Sequence, residues 1–336
     1  MSAFMACGIA GTVLDRSERR LLEELRPGGI VLFARNVRDR GRFDGLTAEL
    51  RALPFQPYVA VDLEGGGVNR LETLVGALPS PAEAARAGTA AVRALGRAVG
   101  AACAHFGITL DFAPVLDVAR RGGWLASESR CLASSPGRVE QLARVFLLGV
   151  ESFGVSTCLK HYPGLGSGTV DSHLDLPTLD EAVREDVKVF HELAEPQRAV
   201  MVAHAIAPAL GERTLPATLS ADILRLLPRD RCGPLLADDL EMGALRAFGT
   251  VPERAVAALS AGCDQVLVCN ALDQRRAVVE RVVRETERDD LLAARLRESE
   301  ARLASFAREA PPEVPWPLAV ELFERARALA LAGGDP

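Results

Sequence analysis

Between Lys160 and His173 one short segment carries a lysine, two histidines and an aspartate: Lys160-His161-Tyr162-Pro163-Gly164-Leu165-Gly166-Ser167-Gly168-Thr169-Val170-Asp171-Ser172-His173. Asp171 stands two residues before His173, close enough in an irregular loop for its carboxylate to accept from the ring and fix one tautomer. Such a pair can move protons near neutrality, because imidazole titrates there and the carboxylate orients it. The same spacing also serves as a plain turn hydrogen bond. The glycines suit neither helix nor strand, so the segment reads as a loop shaped around a ligand.

Two further clusters could do chemistry. In Leu235-Leu236-Ala237-Asp238-Asp239-Leu240 adjacent carboxylates end an apolar run. Side-chain alternation along a strand predicts that one of them faces a barrel mouth and the other does not. The inward one is a nucleophile or metal ligand, or else it caps a helix beginning near Leu240. Asp62-Leu63-Glu64-Gly65-Gly66-Gly67-Val68-Asn69-Arg70 also follows an apolar run. It has neither the lysine and serine of a phosphate loop nor dinucleotide spacing. Its glycines would let backbone approach a polar ligand, with Asp62 and Arg70 suited to hydroxyls or an amide.

These clusters need rigid supports. Short apolar runs recur at 4–9, 29–34, 58–62, 108–112, 155–160, 199–204, 234–238 and 265–269, separated by charged stretches of helical period such as 16–25, 81–105, 138–153, 179–193 and 274–287. Continuous apolar runs are what parallel strands covered on both faces require, and alternation with helices makes βα units. Asp62, Asp111, Lys160-His161, His204 and Asp238 each end a run. Polar residues at several different strand ends favour a closed (β/α)₈ TIM barrel over an open sheet with one switch point. The expected organisation is a single domain over 1–336, with a covering helix at about 318–331.

Composition narrows the partners. A formal net charge of −6 argues against nucleic acid, which needs a basic face. No run approaches the roughly 18 apolar residues of a spanning helix, so no membrane is expected. The seven cysteines are scattered, without C-x-x-C, which argues against a disulfide framework or zinc site. The expectation is a cytoplasmic monomer. On residues alone, Lys160 could also form a Schiff base in an aldolase, and the histidines and aspartates could hold a metal.

The chain resembles glycoside hydrolase family 3, in particular the bacterial β-N-acetylglucosaminidases of cell-wall recycling. The segment Lys160-His161-Tyr162-Pro163-Gly164 through Val170-Asp171-Ser172-His173-Leu174-Asp175-Leu176-Pro177 carries the resemblance most specifically. The resemblance implies a (β/α)₈ barrel acting without cofactor or metal on a small carbohydrate that contains N-acetylglucosamine. It makes Asp238 the nucleophile and His173 the general acid/base with Asp171 as partner. Asp62, Arg70, Arg130, Lys160 and His161 match positions that hold the sugar. The chain departs from the family pattern at Leu63, Gly67, Leu165, Ser167 and Ala237, so a degenerate barrel that binds without turnover is the alternative expectation.

Overall fold

The computed structural model describes residues 2–307 and 309–333. Eight parallel strands close a barrel: β1 (Ser2–Gly8), β2 (Pro27–Leu32), β3 (Tyr58–Val61), β4 (Leu110–Asp111), β5 (Ser156–Tyr162), β6 (Arg198–Val202), β7 (Leu235–Asp239) and β8 (Gln265–Val268). Neighbours in the ring are neighbours in sequence, and β8 returns to pair with β1 through Met5–Val266, Ala6–Leu267 and Cys7–Val268.

The strands are mostly apolar because each faces two cores. Ala6, Val31, Tyr58, Ala60, Cys158, Met201 and Leu236 fill the barrel interior, while Met5, Ile30, Val59, Leu159 and Val200 pack outward against the helical shell. Side-chain alternation divides every run between the two layers. Gln265 lies among the interior strands at the base of the barrel, hydrogen-bonded to the Tyr58 hydroxyl and to the Ala3 carbonyl.

The stretch expected as one helix over 81–105 is two, Pro81–Ala87 and Thr89–His105. Ser80 caps the first, accepting from the Glu83 amide while Glu83 accepts from the Ser80 amide. Gly88, at φ 105°, ends it in a conformation that side-chain-bearing residues rarely adopt. Helix Thr89–His105 then packs backbone to backbone on helix Pro136–Glu151, where a Cβ at Gly96 would lie 2.4 Å from the Phe146 carbonyl oxygen. The last helix, Trp316–Ala332, lies on Thr89–His105 and buries Ala319, Leu322, Phe323 and Ala326. Helices Arg40–Arg51, Val251–Ala261 and Asp290–Ser305 complete positions that the sequence pattern left open. No helix among the described residues is long and apolar enough to cross a membrane.

Candidate active site

At the C-terminal ends of the strands lies a cavity, partly open to solvent. That is the barrel face where loops from different strands meet. Asp62, Arg70, Arg130, Lys160, His161, His173 and Asp238 all line it. Asp171 stands behind His173, its Oδ1 taking hydrogen bonds from the His173 amide at 2.9 Å and from ring Nδ1 at 2.8 Å. The structure therefore brings every expected site residue to one place.

Two strands deliver consecutive side chains to the cavity, against the expectation from alternation. Asp238 and Asp239 both line it. The pairing of β7 with β8 shifts register there: Val266 faces Ala237, but Leu267 faces Asp239, so Asp238 is the extra residue. A bulge of this kind sets two residues against one and re-aims the side chain. The β5–β6 ladder shifts in the same way between Leu159 and Tyr162, and Lys160 and His161 both reach the cavity. No helix begins at Leu240, so the capping role expected as the alternative for Asp238 does not arise.

One wall is an ion network. Lys160 Nζ, 2 % exposed, lies 2.7 Å from Asp62 Oδ1 and 2.6 Å from Glu64 Oε1. Glu64 is also gripped by Arg130, through Nε at 2.9 Å and Nη2 at 2.8 Å. Burial opposes the Glu64 charge, but Lys160 and Arg130 outweigh it and hold the carboxyl at about 2. Burial likewise opposes the Lys160 charge, yet Asp62 and Glu64 raise its pKa above the usual lysine value. The ammonium is thus held protonated, which removes the nucleophilic amine that an aldolase needs.

His161 Nδ1 lies 2.6 Å from Asp117 Oδ2, and the other Asp117 oxygen accepts from the Leu165 amide. Asp117 is wholly buried and fixes both the His161 ring and the start of the glycine loop. Arg70 also lines the cavity, and its buried Nε has no hydrogen-bond partner among the described residues. Sequence reasoning missed Glu64 and Asp117. The rule that found Asp62 would have found Asp117, which ends the apolar run Val115-Leu116.

Two polar strand-end residues sit beneath the cavity. Asp111 is buried, accepts from the Leu63 amide at 3.0 Å, and burial pushes its carboxyl well above the usual range. His204 is held by Thr218 Oγ1 at 2.7 Å and the Asp239 carbonyl at 3.0 Å, and burial lowers its pKa. Asp238 is half-buried at the cavity floor. Burial opposes its charge, but His204, His161, the Asp239 amide at 2.8 Å and His173 bring it below the usual carboxylate range.

Several of the glycines are required by the packing of the chain itself. Leu63–Gly65 and Val68–Asn69 form a small antiparallel hairpin that turns through Gly66 and Gly67, with Gly65 and Gly66 at positive φ. A Cβ on Gly166 would lie 2.0 Å from the Val118 carbonyl oxygen, and one on Gly123 would lie 2.2 Å from that of Gly166. The His173 loop is thereby pressed on the loop after β4, where the Trp124 amide donates to the Gly168 carbonyl at 2.9 Å. Its other edge accepts from the Gly243 and Ala244 amides of the loop that follows β7. The loops after β4, β5 and β7 are thus joined by backbone.

The profile of the Glycosyl hydrolase family 3 N terminal domain matches residues 9–306. The chain belongs to that family. Among its relatives is a beta-hexosaminidase of Thioalkalivibrio sulfidiphilus, 34% identical over 97% of this chain and 95% of the relative. A beta-hexosaminidase of Alkalilimnicola ehrlichii is 37% identical over 78% of this chain and 79% of its own length. NagZ from Neisseria gonorrhoeae, solved with N-trifluoroacetyl-D-glucosamine, superposes with TM-score 0.78 at 30% identity over 99% of this chain and 98% of its own. A family 3 β-N-acetylglucosaminidase from Paenibacillus sp. gives TM-score 0.84 at 28% identity, covering 98% of this chain and 68% of that one. The resemblance read from the 160–177 segment is therefore one of descent and of fold, and family 3 members are glycosidases.

Proposed function

We propose that this chain is a retaining β-N-acetylglucosaminidase, with Asp238 as nucleophile and His173, oriented by Asp171, as general acid and base. The observation that carries the reading is the meeting of Asp238 and His173 at one cavity whose wall is the Asp62–Lys160–Glu64–Arg130 network. The names of the family 3 relatives support it, as does the sugar analogue in the Neisseria NagZ structure.

In this reading Asp62, Arg70, Arg130, Lys160 and His161 bind the sugar hydroxyls and amide. An Asp238 carboxylate oxygen attacks the anomeric carbon. The bond to the leaving oxygen breaks with its electron pair on oxygen, which takes the proton from His173 Nε2. Water then gives a proton to the same nitrogen and attacks the anomeric carbon, freeing Asp238 with net retention. Asp171 occupies Nδ1, so Nε2 is the nitrogen left to carry the mobile proton. The natural substrate in this reading is a peptidoglycan-derived muropeptide.

The test is a panel of aryl β-glycosides differing at the sugar 2-position. The wild type is expected to favour the N-acetylglucosaminide. His173→Ala should lower kcat by roughly 10²–10⁴ on poor leaving groups, the range that general acid catalysis supplies, and Asp238→Ala should be at least as damaging. Variants as active as wild type would overturn the assignment. A wild type inactive on the whole panel would favour a barrel that binds sugar without turnover.

A further inference from the structure

Past the register shift at Asp238, β7 and β8 are joined in a different way. Leu267 faces Asp239, and its carbonyl accepts from the Leu240 amide at 3.0 Å. The amides of Cys269, Asn270 and Ala271, next along the chain, all turn to one side chain from the loop that follows β7. Glu241 Oε2 accepts from Cys269 at 2.7 Å and from Asn270 at 2.6 Å, and Oε1 accepts from Ala271. Glu241 stands behind the cavity wall and not in it, whereas Asp238, Asp239, Cys269 and Asn270 line it. The join is held from two further sides. Asp239 Oδ1 accepts from the Glu241 amide and Oδ2 from Asn270 Nδ2, each at 3.2 Å. Arg35, from the segment after β2, donates to Asn270 Oδ1 at 2.8 Å and to the Cys269 carbonyl.

A bulge leaves its extra residue without a ladder partner, so something outside the ladder must keep it in one geometry. In a regular parallel pair the amides of one strand are met by carbonyls of the next. Here a side chain meets three amides in succession, just three residues beyond the extra one. We propose that Glu241 locks the register shift and thereby fixes where Asp238 points. It is a positioning residue, and its consequence for turnover rests on the proposed role of Asp238 as nucleophile. Attack on the anomeric carbon needs a carboxylate oxygen in line with the departing bond, and small misplacements of a reacting group are costly.

The experiment uses Glu241→Ala, which removes all three bonds, and Glu241→Gln, which keeps the size but sets an NH2 donor against one of the amides. Each is assayed on phenyl and dinitrophenyl β-N-acetylglucosaminides, the second of which departs with little help from an acid. Both variants are expected to lower kcat/KM about tenfold or more, by factors that agree within about threefold on the two substrates, because a misplaced nucleophile slows both. Calorimetric binding of N-acetylglucosamine should stay within about twofold of wild type, since the sugar-side wall is untouched. A loss confined to the phenyl substrate would overturn the proposal. Glu241 would then act through the His173 loop, which the Gly243 and Ala244 amides join to the same segment. Unchanged kcat/KM, or a loss of binding equal to the loss of rate, would overturn it as well. If the wild type turned over neither substrate, the glycosidase reading would fail separately. A crystal structure of Glu241→Gln then decides: an Asp238 carboxylate displaced together with residues 269–271 supports the lock, and an unmoved Asp238 overturns it.

Discussion

Glu64 touches both Lys160 and Arg130 while being 1 % exposed, so its charge is the pivot of the sugar-side wall. Its carboxyl is held at about 2, against an ordinary 4.5. A depressed folded pKa contributes stability that is fully present above 4.5 and is lost as pH falls toward 2. The depression corresponds to about 3 kcal/mol at neutral pH. Glu64→Gln leaves two buried cations with one partner fewer, and about 3–5 kcal/mol of stability should be lost at pH 7. The variant's stability should also fall less steeply than wild type between pH 4.5 and 2. Urea unfolding across that range measures both, and parallel curves for the two proteins would count against the assignment.

Loop packing carries the next expectation. A Cβ on Gly243 would stand 2.5 Å from the Leu174 carbonyl oxygen and 2.6 Å from that of His173, so an alanine there pushes the His173 loop off the loop that follows β7. Gly243→Ala is expected to lower kcat by about tenfold or more, since small misplacements of a catalytic group cost that much. His173 is on an exposed loop, so the melting temperature should move little. A large fall in melting temperature with unchanged kcat would contradict this account.

The strands were legible because each is apolar on both faces, and the barrel followed from the polar residues at their ends. Helix Asp290–Ser305 was left open because its stripe of Leu292, Leu296 and Leu303 is thin, interrupted by Ser299 and set among many charged residues. The break at Gly88 was hidden within an alanine-rich helical pattern. The Asp171–His173 pair could be read because its partners are two residues apart. Glu64 stayed hidden because its partner Arg130 is 66 residues away, and the bond between His161 and Asp117 spans 44. Alternation failed at Asp238-Asp239 because a register shift is decided by pairing with the next strand, which no single segment records.

At the scale of the whole chain, the last helix shares its core with the shell around the barrel. Phe323, 2 % exposed, packs on Trp316, whose ring also meets His105 and Phe106. We propose that the chain unfolds as one unit. Phe323→Ala is expected to cost about 3–5 kcal/mol and to lower a single calorimetric transition. A separate early transition for the C-terminal helix would show that it is an independent layer.

The two register shifts reach beyond the site they build. A shift adds one residue to one strand without disturbing the outward side chains that hold the barrel to its shell. The reactive mouth is in this sense an insertion into a scaffold that closes without it. Excising a single residue at either shift would restore a plain ladder and withdraw Asp238, or one of Lys160 and His161, from the mouth. Durability and chemistry are inherited separately in this barrel, and a lineage can discard the second while keeping the first.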